Sequence, residues 1–298
     1  MEIWVLIAIT AYLMFAFKGV LDKFLLSKEI RHARVFAFYV GITAPLVFVL
    51  APFGFEFLSS WDTFIALLGG MCFTYALYFF YHAIKESTIS RILPISGGLV
   101  PICTLVLAYL FVDERLSGIQ YLAFILLVVG AVLISFKRGR DGWHARGLVS
   151  ALIASLLFAA SHTATKYIFG VTSFTSTLIW TRLGIFIGAL TFLATKTNRR
   201  LIFRTPKAAS KGSATLFYFA HAIGALAGLL QNFSFKLGPV SIVSALQGIQ
   251  DVFLLCLTSF LSVRYPEILH EKITGKILAQ KVLAIIIITV GLYLVSYA

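Results

Sequence analysis

Ten stretches of apolar sequence, each close to the length that crosses a lipid bilayer, leave this chain almost no room for any other architecture. A hydrocarbon core about 30 Å thick needs roughly 20 apolar residues per spanning helix, because an α-helix rises only about 1.5 Å per residue. The segments run from Ile3 to Leu26, Val35 to Phe53, Thr63 to Ile84, Ile89 to Val112 and Gly118 to Phe136. The second set covers Ala145 to Ile168, Phe174 to Thr195, Ser213 to Phe235, Val240 to Val263 and Ala279 to Tyr297. The connections are short, so no soluble domain fits between the spans. A composition 60% hydrophobic and 12% charged agrees, and excludes an ordinary soluble fold. The expected fold class is all-α, an integral membrane protein of ten transmembrane helices.

Ile3 to Phe17 reads as the first span instead of a signal peptide, since no basic segment precedes it and Lys18 and Asp22 stand where a cleavage site would lie. Cys72, Cys103 and Cys256 all fall inside apolar segments without the spacing of metal ligands, and read as small apolar fillers. No metal or cofactor motif is apparent.

The formal charge of +13 raises nucleic acid as a partner, but the basic residues are scattered among the connections and form no face with interleaved aromatics. Topology accounts for them better. The connections after the first, third, fifth, seventh and ninth spans carry twenty Lys and Arg residues, against Arg115, Lys166 and Lys236 on the other side. The positive-inside rule makes the basic side cytoplasmic and, for ten spans, places both termini outside. A cell (inner) membrane is the expected location. Trp4, Trp61 and Trp143 are expected at the membrane interfaces.

The two halves of the chain match each other. An offset of 143 residues puts Phe15-Ala16 on Phe158-Ala159 and Lys23 on Lys166. An offset of 151 puts Lys85 on Lys236 and Gly97 on Gly248, and one of 161 puts Gly130 on Gly291. Such an ordered series argues for two repeats, 1–140 and 141–298, of five spans each. An odd number of spans per repeat gives them opposite topologies, hence two inverted five-helix repeats.

Polar groups inside the spans carry the chemistry, because each costs several kcal/mol there unless it faces a cavity or a partner. In the ninth span Ser244, Gln247 and Asp251 recur at helical spacing with Gln250 beside them, a stripe that lines a solute path or bonds a neighbouring helix. In the eighth, Phe217, His221, Gly224, Gly228 and Gln231 share one face, with Asn232 alongside; the glycines admit a close helix crossing, and His221 and Gln231 flank it. Thr74, Tyr78 and His82 make a similar stripe in the third span. His162 lies one turn from Lys166 in the sixth, either a gating imidazole or a hydrogen-bonded structural one. Arg182, deep in the seventh, needs an acidic partner, carbonyls or an anionic solute. The acids within reach of the spans are Asp22 and Asp251, and the latter is expected to be needed for transport. Gly97-Gly98 and Pro101 suit a broken or bent fourth helix.

The second half of each repeat resembles the EamA-type transporters of the drug/metabolite transporter superfamily. Tyr81-His82-Ala83-Ile84-Lys85, then Pro101, then Asp113-Glu114-Arg115-Leu116, is similar to the family's Tyr-x-Ala-Leu-Lys, Pro and Gly-Glu-Arg-Leu pattern. Gly130 to Ile134 resembles its glycine-containing fifth span, and Arg182 falls where the family often has an arginine. Glu271-Lys272-Ile273, after a six-residue insertion, is a displaced and degenerate second Glu-Arg-Leu.

The resemblance implies a carrier with a cavity between two inverted repeats, working by alternating access on a small polar metabolite. Candidate solute-binding residues are Tyr78, His82, His162, Arg182, His221, Gln231, Gln247, Gln250 and Asp251. Arg182, His82, His162 and His221 outnumber the intramembrane acids, so an amino acid or a related zwitterion or anion is the expected solute. The first, third, fourth, sixth, eighth and ninth spans are expected around the cavity. The fifth and tenth, almost wholly apolar, suit lipid or a second copy in a homodimer. Glu114 and Arg115, at a span boundary, read as a helix cap or interface ion pair. The other classes are a receptor or scaffold that transports nothing, and a membrane-embedded transferase, which would need clustered acids or an acid/base pair that the sequence lacks.

Overall fold

A computed structural model describes residues 2–28, 32–86, 89–136, 145–208, 211–264 and 275–297. Trp143 and Glu271-Lys272-Ile273 lie outside the described residues, as does most of the basic connection from 137 to 146. The described chain is helical, with no strand, and contains ten helices long and apolar enough to cross a membrane. These spans are Ile3–Asp22, Ala33–Leu50, Ser60–Glu86, Ile92–Phe111, Gly118–Ser135, Arg146–Phe169, Phe174–Ala194, Thr215–Leu237, Val240–Leu257 and Ala279–Tyr297. A multi-pass integral membrane protein is the architecture that the apolar pattern dictates.

Local chemistry sets where the helices start and bend. Ser117 opens the fifth span with a reciprocal cap, its side chain accepting from the Gln120 amide while the Gln120 side chain accepts from the Ser117 amide. The second span tightens from α-helix to a 3-10 segment, Ala44–Leu50, with Pro45 at its start. The fourth helix runs unbroken from Ile89 to Phe111 despite Pro94 and Pro101. The ring of Pro101 crowds the carbonyl four residues back, which belongs to Gly97, where the absence of a side chain lets the backbone adjust. The break is in the ninth span instead. A short helix, Val240–Ala245, stops at Leu246 and a second runs from Gln247 to Arg264. At the junction the Ile249 amide bonds the Leu246 carbonyl, a tighter three-residue closure.

Two charged side chains anchor helix ends in the neighbourhood of that span. The Glu114 carboxylate accepts from the Val240 amide at 2.6 Å, from the Ser241 amide at 3.1 Å and from the Ser241 hydroxyl, capping the short helix. This is the capping role expected at that boundary, and it stabilises the helix because a carboxylate satisfies N-terminal amides and complements the dipole. At the end of the sixth span the Lys166 ammonium donates to the Phe235 and Gly238 carbonyls at 2.7 and 2.8 Å, closing the C-terminus of the eighth. Trp4, at the start of the first span, is buried, its indole packed on Gly238 where any Cβ would collide with it. Trp61 is exposed, as an interface residue would be.

Glycines govern the closest helix crossings. The third and seventh spans approach until a Cβ on Gly70 would stand 2.6 Å from the Ile185 amide nitrogen, and closer still to the Thr181 carbonyl. Reciprocally, a Cβ on Gly184 would stand 2.8 Å from the Leu67 carbonyl carbon. Thr74 locks the crossing by donating to the Ile185 carbonyl at 2.9 Å. Without water to drive apolar association, packing of this closeness supplies most of the attraction between spans. The fifth and tenth spans pack on each other, Gly130 against Ile288 and Gly291 against Leu127 and Ala123. The first span pairs with the eighth and the third with the sixth. The ninth packs on the first, and the fourth on the sixth.

Candidate functional site

One face of the eighth span organises the polar groups at mid-depth. His221, Gly224, Gly228 and Gln231 succeed one another along it at helical spacing. Small residues in the middle leave space that long side chains from other spans fill. The Lys18 side chain of the first span lies over Gly224, with its methylene carbons where a Cβ would go. One turn further the Arg182 guanidinium, from the seventh span, reaches to Gly228, where a Cβ would meet its terminal nitrogen at 3.2 Å. Two cations therefore meet the same face about 6 Å apart along the helix axis.

Their charges are handled differently. Lys18 forms an ion pair with Asp22, four residues on and buried, and its ammonium lies 5.5 Å from the centroid of the Phe36 ring. Asp22 is thus not the partner of Arg182. Neither is Asp251, whose carboxylate accepts from the Ser135 hydroxyl at 2.7 Å. Among the described residues Arg182 makes no ion pair and no hydrogen bond, although it sits level with the tight crossing around Gly184. Among the described residues nothing accepts from its five donors.

Above Arg182, Gln231 donates to the Tyr12 hydroxyl at 3.2 Å, and Tyr12 donates to the Val243 carbonyl at 2.6 Å. Ser244, the next residue, lies 3.3 Å from Nδ1 of His162. The run Gln231, Tyr12, Val243, Ser244, His162 joins the first, sixth, eighth and ninth spans just before the break at Leu246. Broken helices expose unpaired backbone groups and are tolerated in a membrane where they are buried in protein or border a cavity. Below, His221 stacks on Phe217 with ring centroids 4.5 Å apart, and its Nδ1 is buried without a partner.

Arg182 thus meets the eighth span at Gly228, three residues from Gln231, and Gln231 is linked to His162 through Tyr12, Val243 and Ser244. His221 lies two turns from Gly228 on the same helix. Asp251, Tyr78 and His82 have other neighbours. Asp251 is engaged by Ser135, the last residue of the fifth span, and not by Arg182. The break explains why: a regular helix would put Ser244, Gln247 and Asp251 on one stripe, whereas here Ser244 faces the sixth span and Asp251 the fifth. Gln247 and Gln250 have no hydrogen bond to another described side chain. Tyr78 packs among Phe79, Phe192 and His82, with the Arg34 guanidinium over its ring, and His82 approaches Ser150 and Glu86. Both belong to the basic end. Tyr12 was missed by the sequence argument; the signal available was that a phenol deep in an apolar span needs a hydrogen-bond partner.

Residues 2–136 match the family model described as the EamA-like transporter family. For the first half this bears out the resemblance to the EamA-type proteins, and the matched stretch contains Tyr81 to Lys85, Pro101 and Glu114. No curated protein matches the chain. Among solved structures, one described only as the crystal structure of a protein superposes with a TM-score of 0.71 at 16% identity, covering 98% of this chain and 97% of its own. That likeness shows a shared fold over the whole length.

Proposed function

We propose, from the premise of an EamA-like first half, that the protein is a secondary transporter whose solute carries a carboxylate or similar anion bound by Arg182. The observation that carries this reading is the guanidinium at mid-span with no acid and no acceptor beside it among the described residues. A cation in hydrocarbon is costly, and a chain that keeps one without a counter-ion gains most when a solute supplies it. A zwitterion also finds the Asp22 carboxylate one turn along the first span from Lys18, which holds it in an ion pair. His162, His221 and Gln231 border the same space and are proposed to orient the solute.

Alternating access between two inverted five-helix repeats, 1–140 and 141–298, is the mechanism we assign to it. Its support is the pairing of spans, first with eighth and sixth with third, first with ninth and sixth with fourth, which exchange under the 143- to 161-residue offsets. Termini outside and a cell-membrane location remain part of the same proposal, on the charge of the connections. A receptor or scaffold has no use for an unpaired mid-depth arginine.

The test is uptake by reconstituted liposomes of amino acids, organic anions, sugars and quaternary cations, with and without a proton gradient. Amino acids or organic anions are expected to enter and to compete with one another; transport restricted to quaternary cations overturns the reading. Asp251→Asn serves as a companion measurement. The amide oxygen can still accept from Ser135, so the variant is expected to fold and to keep uptake within about threefold, the worth of one interhelical hydrogen bond of ~0.6 kcal/mol. A deep loss of uptake in a stable Asp251→Asn protein would put the acid back in the solute path, as the sequence argument had it.

A further inference from the structure

The connection between the seventh and eighth spans contains a helix, Lys196–Ala208, that the transport mechanism does not use. Its sequence, KTNRRLIFRTPKA, holds five basic residues and no acid. One side is fixed to the protein. Ile202 is fully buried in a cluster with Val35, Phe38, Ala189 and Phe192, and the Tyr39 hydroxyl donates to the Ile202 carbonyl at 3.1 Å. Arg34 holds the Asn198 side chain at 2.9 Å, and Arg199 bonds the Leu193 carbonyl. The other side is bare: Lys196, Arg200, Phe203 and Arg204 are all exposed, Phe203 to 57%.

Connectivity places the helix at the membrane boundary. The seventh span ends at Ala194 and the helix begins at Lys196, so it lies across the end of the bundle and not out in solvent. Arg204 stands four residues beyond Arg200 and Phe203 three, so the two guanidiniums neighbour each other on one face with the aromatic ring beside Arg200. Lys196, Arg199, Arg200 and Arg204 form no ion pair among the described residues. We propose that this helix is a binding site for the headgroups of anionic phospholipids, with Arg200 and Arg204 on the phosphate and Phe203 in the acyl boundary. A planar guanidinium grips phosphate through two parallel hydrogen bonds, and an apolar ring beside it suits the depth at which headgroups meet chains. Nucleic acid would use the charges but leave Phe203 in water.

The site is tested on the full-length protein in nanodiscs of phosphatidylcholine with a minority of phosphatidylglycerol, reading the lipids retained by native mass spectrometry. Phosphatidylglycerol is expected to be enriched at least about fivefold over the bulk, since each basic group near a surface is worth about that factor. The variant R200Q/F203S/R204Q is expected to return to the bulk ratio, while R115Q, at the opposite end of the bundle, keeps the enrichment. Equal loss in both, or none in either, overturns the assignment. Should the triple variant fail to fold, the wild type decides: enrichment must fall from low to high salt, and persistence overturns the proposal. Displacement by inorganic phosphate at the lipid's own concentration would mean a soluble-anion site, and displacement by a short RNA a nucleic-acid one; either result also overturns it.

Discussion

Arg182→Gln is expected to lower uptake at least about a hundredfold in a protein that melts no lower than the wild type. The two halves of that result have one cause. Because no described acid pairs with Arg182, its removal leaves no orphaned charge behind, and it relieves the cost of holding a guanidinium out of water. A charged pair with the solute, by contrast, is lost outright, and breaking a desolvated pair is worth about 3 to 5 kcal/mol, or more than two decades in affinity. Arg182→Lys separates charge from shape. The ammonium restores the charge but not the planar fork, so partial activity is expected. Thermal melting in detergent and liposome uptake of the same preparations provide the check. A stable variant with undiminished uptake removes Arg182 from the site, and a collapse in melting temperature would mean that it has a structural partner.

Gly70→Ala is expected to lower the yield and melting temperature of the folded protein more than any other glycine-to-alanine change among the described residues, with Gly184→Ala close behind. Each adds a carbon into backbone of the facing helix, the Thr181 and Ile185 peptides in one case and the Leu67 peptide in the other. Backbone cannot rotate away as a side-chain tip can, so the third and seventh spans must separate along the crossing. Overpacking of this kind costs about 1 to 3 kcal/mol, and lost contact between the spans adds to it. The measurement is the yield of folded protein by size-exclusion chromatography, together with its melting temperature. Gly118→Ala, at a position with open space around it, is the control and should match the wild type. If Gly70→Ala also melts as the wild type does, the crossing is looser than described.

The spans were legible because the bilayer imposes a length and a hydropathy that no local accident imitates. Val35 to Phe53, for example, was found as Ala33–Leu50, within the few residues by which helix ends vary. Arg182 and the face from His221 to Gln231 were legible for the same reason, since polar groups stand out against an apolar background. What failed was the assumption of an unbroken helix. Leu246 carries no proline or glycine to announce the interruption, and Gly248, two residues on, is held bare by Ala131 of the fifth span, a tertiary cause. Conversely Pro101 advertised a break that Gly97 absorbs. The helix Lys196–Ala208 was passed over because its charges were counted for topology, which conceals that Ile202 among them faces inward.

Glu114 belongs to the first half of the chain, yet its carboxylate seats Val240 and Ser241 of the second. The halves are thus not interchangeable parts. A chimaera that keeps residues beyond 140 and borrows its first half from another protein must import an acid at this position, or the short helix before Leu246 starts with bare amides. The same dependence reaches the N-cap itself: Pro239 there supplies no side-chain acceptor, so the loss of an acid at 114 is expected to be made good only by a capping residue such as Ser or Asp at 239.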